Sequence, residues 1–249
     1  LFFWRPWCYI GKNGAPRPRG RAAGKGWNGM VLYIIRHGDP DYENDTLTPA
    51  GEKEAEALGA RMAAQGLDRI YTSPRGRAVK TSLPTCRAAG LSGTVEDWMT
   101  ERDEYMLRPD LNGPDAAQAG YTFSLREGVR AARDFCQDGQ RAAYIKEVAA
   151  SSDAFLARHG YRREGGLYRV ERPNSLRIAC FCHGGFGAVW IAHLLGMMPA
   201  MGQLALNLHT ASVTRFTFAE AWQSGYAPAR LDTLNDITHL ISAGLAACP

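Results

Sequence analysis

Val31-Leu32-Tyr33-Ile34-Ile35-Arg36-His37-Gly38 joins five consecutive β-prone residues to an abrupt Arg-His-Gly step. An unbroken run of this kind predicts a strand buried on both faces, as in a parallel sheet. The carboxyl ends of such strands open onto the crevice where α/β sheets bind ligands, so the step delivers an imidazole and a guanidinium there. A second stretch repeats the arrangement: Leu176-Arg177-Ile178-Ala179-Cys180-Phe181-Cys182 runs into His183-Gly184-Gly185. Two strand-terminal histidines, each followed by a glycine that permits close approach, predict one site built from two distant segments.

Between these strands the pattern alternates. After an acidic loop at 39–45, Thr48-Pro49 predicts a helix start, because threonine caps free amides and proline suits the first helical position; Ala55, Leu58 and Met62 continue it at helical spacing to about Gln65. Residues 69–72 read as a strand. Ser73-Pro74 predicts a second helix by the same chemistry, ending near Gly90 with Pro84 as a kink. Residues 94–99 read as a third strand, 186–195 as a helix and 213–218 as a further strand. The intervening stretch from about 103 to 170 is an insertion dominated by helical patterns, notably over 126–158. Strands alternating with helices predict an α/β fold, here a three-layer α/β/α domain with a mostly parallel central sheet.

Composition agrees with one such domain. The chain has 249 residues, 45% hydrophobic and 22% charged, enough for a sizeable core. No window approaches about 18 uninterrupted apolar residues, so no membrane partner is expected. The six cysteines (Cys8, Cys86, Cys136, Cys180, Cys182, Cys248) form no CxxC pair, which predicts reduced thiols and a cytoplasmic protein. The Cys180, Cys182, His183 trio has the donors for zinc, but a CxC on a buried strand reads as small core filling.

The formal charge of +4 is carried by one end. Residues 1–29 hold six Lys or Arg and no Asp or Glu, leaving 23 basic against 25 acidic residues over 30–249. Arg17, Arg19 and Arg21 with Trp4, Trp7 and Trp27 have the chemistry of a nucleic-acid arm. The Gly, Pro and Arg content favours a disordered basic extension, or sequence upstream of a true start at Met30, so nucleic acid is not the expected partner.

The stretches YIIRHGDPDYENDTLTPAGEKEA (33–55), IYTSPRGRAVKT (70–81), DWMTE (97–101), ACFCHGG (179–185), ASVTRFTF (211–218) and NDITHL (235–240) together resemble the histidine phosphatase superfamily, which includes cofactor-dependent phosphoglycerate mutases and many phosphomonoesterases. The similarity runs from about Met30 to Leu240, loosely over 105–165. It implies a histidine phosphatase domain over 30–249 with residues 103–170 as a helical cap, and a small-molecule phosphoester as substrate.

The resemblance also implies roles. His37 would be the nucleophile that forms a phosphohistidine, and Arg36 and Arg77 would clamp the phosphoryl oxygens, Arg77 matching the arginine of the family's SPxxRA. His183 would donate a further hydrogen bond to the transferring group. Glu101, in the family's WxxE position, would protonate the leaving oxygen, with Glu104 and Glu96 as weaker alternatives; a carboxyl beside a bound dianion should have a raised pKa. No metal and no cofactor are required. Arg75 reads as surface, and His159, His193, His209 and His239 as structural, with His209 the nearest to an exception. Tyr105, Arg108, Tyr121, Arg126 and Arg130 are cap positions with no assigned role.

The expected activity is hydrolysis of a small phosphorylated metabolite. A mutase is the alternative, but Asp39-Pro40-Asp41 replaces the Glu-Ser/Thr-type sequence common there. A non-catalytic phospho-ligand-binding module is the third reading, disfavoured because every catalytic position is filled. Oligomeric state cannot be read from these residues.

Overall fold

The run at 31–35 lies inside β1 (Gly29–Arg36) of the computed structural model, whose described residues are 29–102, 139–220 and 224–246. There follow β2 (Pro40–Asp41), β3 (Thr46–Leu47), α1 (Pro49–Ala63), β4 (Arg69–Thr72), α2 (Gly76–Ala89) and β5 (Gly93–Val95), then a 3-10 turn at Asp97–Met99. Beyond residue 138 come α3 (Gly139–Arg158), β6 (Tyr161–Glu164), β7 (Leu167–Val170), β8 (Arg177–Cys182), α4 (Gly184–Leu194) and α5 (Pro199–Ala205). The chain continues through β9 (Val213–Ala219), β10 (Tyr226–Ala227), β11 (Arg230–Asp236) and α6 (Thr238–Ser242).

The central sheet has the order β11-β9-β1-β8-β4-β5. β1, β8, β4 and β5 run parallel; β9 pairs antiparallel with β1 and with β11. Because side chains alternate along a strand, β1 serves two cores at once. Met30, Leu32 and Ile34 join Cys180, Cys182 and Phe216 against Phe155 of α3 and Phe186 and Trp190 of α4. Val31, Tyr33 and Ile35 join Ala179 and Phe181 against Leu58 and Met62 of α1 and Leu240 of α6. This is the expected α/β fold, and it explains why β1 and β8 are apolar at nearly every position. The two cysteines of β8 are wholly buried core residues, as their spacing predicts.

Three details differ from the expectation. The second helix begins at Gly76, and its N-cap residue Arg75 makes no side-chain cap bond; the helix runs through Pro84 to a left-handed Gly90. The third strand stops at Val95, because the chain turns so that Trp98 packs edge-on against Trp190, with ring centroids 5.0 Å apart. The insertion, read as helical, contains α3 but also the β6–β7 hairpin, turned at Gly165-Gly166 and paired through β7 with β10. The expected basic extension lies at 1–28 outside the described residues, Gly29 being the first residue of β1, and the helical pattern before Gly139 is likewise outside them.

Candidate active site

Parallel pairing brings the two histidine-bearing strand ends side by side. Arg36 lies opposite Cys182, and Thr72 of β4 lies opposite Phe181, so His37, His183 and Ser73 leave three adjacent strands at one edge. The imidazoles of His37 and His183 meet with centroids 5.2 Å apart and planes at 64°. One donor atom each from His37, Glu101 and His183 lies within 4.8 Å of the others. All are buried, with exposures of 1% for His37, 6% for Glu101, 0% for His183 and 4% for Arg77.

His37 is held in one tautomer. Its Nδ1 lies 2.7 Å from the Gly38 carbonyl oxygen, which can only accept, so Nδ1 carries the proton and Nε2 the lone pair. Burial, with the nearby charges of Arg36 and Arg77, pushes its pKa down to about 3, against a weaker upward pull from the Gly38 bond. His183 is also pushed well below the ordinary histidine value, first by burial, then by His37, Arg77, Arg75 and Arg36. Both imidazoles are therefore neutral at pH 7. Arg75 is an exposed residue as expected, yet its charge reaches His183.

The guanidiniums present unused donors. Arg36 Nη1 donates to the Leu208 carbonyl, and Gly184 makes room for this arginine, since a Cβ there would lie 3.2 Å from Arg36 Nε. Arg77 Nη1 donates to Asp45 Oδ1 at 2.8 Å, and its Nη2 lies 3.9 Å from Glu101 Oε2. Arg36 Nε, Arg77 Nε, Arg77 Nη2 and His183 Nδ1 are buried with no hydrogen-bond partner among the described residues. Buried donors left without hydrogen bonds are costly, and three guanidinium N–H groups beside two neutral imidazoles suit an anion that pairs with them. The His37, Glu101, His183 cluster has a spacing a metal ion accepts, but two guanidiniums beside it favour an anion over a cation.

Both flanking helix starts end on carboxylates. Glu101 Oε1 accepts from the Gly185 and Phe186 amides of α4 at 2.8 and 3.1 Å, which fixes its orientation beside Arg77. Asp45 Oδ2 accepts from the Gly76 amide of α2 at 2.8 Å. Ser73, expected to cap that helix, instead lies with Oγ 2.8 Å from His183 Nε2. Thr81 ties the two arginine segments together, accepting from the Gly38 amide at 2.9 Å and donating to the Arg77 carbonyl at 2.7 Å. Buried Glu54 accepts from the Asp39 amide and the Thr210 hydroxyl, joining the loops on either side of His37.

The remaining expected residues separate cleanly. Glu96 accepts from Trp98 Nε1 at 2.8 Å through one oxygen and pairs with Arg158 at 2.7 Å through the other, so both of its oxygens are engaged. Glu104 and the cap positions Tyr105, Arg108, Tyr121, Arg126 and Arg130 lie outside the described residues. His159 bridges Tyr71 and the Phe155 carbonyl, His193 meets Asp153, and His239 meets Arg61, all structural contacts. The His209 backbone amide donates to Asn235 Oδ1. Sequence reasoning missed Asp45, Ser73 and Thr81 as neighbours of the site; Ser73 and Thr81 stand four residues either side of Arg77 in the stretch 70–81, the one signal that pointed to them.

The depressed histidines make stability depend on pH. A histidine whose folded pKa lies below its unfolded value binds its proton more tightly when unfolded, so stability present at neutral pH is lost as pH falls below about 6.5. His37, His183, His159 and His239, the last lowered to about 4, all act in this sense, while the raised carboxyl of Glu54 opposes them. The melting temperature is expected to fall steadily between pH 7.5 and 5, and a flat profile would contradict this burial.

A sequence model described as Histidine phosphatase superfamily (branch 1) matches residues 32–113. A probable phosphoglycerate mutase of Salmonella arizonae is 24% identical over 228 residues, covering 87% of this chain and 97% of its own. Among solved structures, a protein titled mycobacterial hydrolase 1 superposes with a TM-score of 0.58 at 21% identity, covering 83% of this chain and 99% of its own. The phosphoserine phosphatase of Entamoeba histolytica, solved with 3-phosphoglyceric acid, gives a TM-score of 0.57 at 21% identity, with 85% and 99% covered. The sequence match begins in the strand that leads into His37, the fold is shared over nearly the whole length of these proteins, and over residues 32–113 the chain is similar to the histidine phosphatase superfamily.

Proposed function

We propose that the protein is a metal-independent phosphomonoesterase that cleaves a small phosphorylated metabolite through a phosphohistidine on His37. One observation carries the reading: a neutral imidazole with its Nε2 lone pair unprotonated stands among buried N–H donors that have no partner among the described residues. The phosphoryl group needs fixed positive donors for its oxygens, an in-line nucleophile and a proton for the leaving oxygen. Arg36, Arg77 and His183 supply the donors. His37 Nε2 forms the P–N bond as the ester P–O bond breaks, and Glu101 gives its proton to the departing alkoxide. Water then attacks phosphorus, returns a proton to Glu101, and the P–N bond breaks to release inorganic phosphate and neutral His37.

Residues 30–249 are taken as the catalytic domain, with the segment from about 103 to 170 as its cap. The relatives named probable phosphoglycerate mutases favour a second reading, in which the phosphoryl group returns to another substrate oxygen instead of water. A phosphoester panel run with chelator present decides between them. Inorganic phosphate released by the parent and by no His37→Ala sample supports hydrolysis. Exchange of phosphate between positions of phosphoglycerate without net release supports the mutase, and affinity without turnover supports a binding module. Among the described residues no helix is long and apolar enough to cross a membrane.

A further inference from the structure

Arg77 is held by a segment that carries none of the roles assigned above. Its Nη1 is bound to Asp45 Oδ1 at 2.8 Å, and the Tyr42 ring lies 5.2 Å from its Cζ. Asp45 also takes the Gly76 amide through Oδ2 at 2.8 Å, so one carboxylate grips both the first turn of α2 and the side chain of its second residue. The approach is close. A Cβ on Gly76 would lie 2.2 Å from the Asp45 carbonyl oxygen, and Asp45 itself has a φ of 47°. A non-glycine residue in the left-handed region costs free energy and is kept where surrounding contacts demand it.

The geometry of a guanidinium turns this grip into orientation. Nε–H and one Nη2–H lie on the same edge and form the fork that meets two oxygens of a phosphate or carboxylate. With Nη1 tied to Asp45 on the opposite side, the fork is the edge left without a hydrogen bond among the described residues, its Nη2 lying 3.9 Å from Glu101 Oε2. We propose that Asp45, with Tyr42 stacked on the same guanidinium, is a positioning residue that turns the Nε and Nη2 edge of Arg77 toward the transferring phosphoryl group. This rests on the reading of Arg77 as a phosphate ligand. Asp45 donates to no phosphoryl oxygen; it orients Arg77 through Oδ1 while Oδ2 holds the Gly76 amide.

The test is a double-mutant cycle on the full chain with Asp45→Ala, Arg77→Ala and the pair, reading kcat/KM on p-nitrophenyl phosphate and the affinity for inorganic phosphate by calorimetry. Losing a charge-assisted hydrogen bond that orients a ligand corresponds to about tenfold or more, so Asp45→Ala should weaken phosphate binding and kcat/KM by at least about tenfold. In the Arg77→Ala background the same substitution should change either by less than about twofold, since the two act as one unit. Asp45→Asn, which tolerates the left-handed backbone and keeps an acceptor oxygen, should recover part of the loss.

Parent-like kinetics and phosphate affinity in Asp45→Ala, with a lowered melting temperature, would reduce Asp45 to a helix cap and overturn the proposal. So would losses that multiply across the cycle. A parent that binds phosphate but turns over no ester overturns the phosphatase reading, while the affinity cycle still decides the clamp; a parent that binds no phosphate overturns both.

Discussion

His37→Ala is expected to fold and to release no phosphate from any ester the parent hydrolyses. Removing a covalent nucleophile deletes the first of two chemical steps, and losses of at least about four orders of magnitude in kcat are the scale for such deletions. The variant should still show a rise in melting temperature with inorganic phosphate, because Arg36, Arg77 and His183 retain the unpaired donors. The main-chain ties that shape the turn also remain: the residue-37 amide donates to the Cys182 carbonyl at 2.9 Å and its carbonyl accepts from Ala211 at 3.0 Å. Below pH 6.5 the variant should lose stability less steeply than the parent, since one depressed imidazole has been removed. Labelled substrate quenched without acid should leave phosphate on the parent and none on the variant. Turnover surviving in His37→Ala, or a parent that never becomes labelled, would end the phosphohistidine mechanism.

Glu101→Gln is expected to divide substrates by leaving group. General acid catalysis is worth about 10²–10⁴-fold, and it matters most for an alkoxide that departs poorly without a proton. Alkyl phosphates should therefore slow by at least about a hundredfold and p-nitrophenyl phosphate by less than about tenfold. Glutamine preserves the anchoring, because its carbonyl oxygen accepts from the Gly185 and Phe186 amides as Oε1 of the glutamate does. Equal losses on both substrates would assign Glu101 to structure and move the proton donor elsewhere.

The parts that could be read in advance are those where local chemistry and long-range structure agree. β1 and β8 are covered by helices on both faces, so they carry apolar residues at nearly every position and announce themselves without an alignment. Thr48-Pro49 capped its helix as expected, the Thr48 hydroxyl accepting from the Gly51 amide at 3.1 Å. Ser73-Pro74 carries the same pattern and failed, because the Ser73 hydroxyl is drawn to His183 and the cap of α2 comes from Asp45, 31 residues upstream of Gly76. The strand expected through Met99 ended early because three exposed edge residues gain little from pairing, whereas Trp98 gains a buried aromatic neighbourhood.

Residue order was enough to set the architecture and to nominate His37, His183 and Arg36, because burial on both strand faces and chemistry at strand ends leave a local trace; Arg77 and Glu101 were nominated by the resemblance of their surrounding residues to a known family. Their partners were settled by the fold: which oxygen fixes the His37 tautomer, which carboxylate grips Arg77, and which amides hold Glu101. Hydrogen-bond partners tens of residues apart compete for the same donors and acceptors, and that competition is resolved where the strand ends and helix starts meet in space.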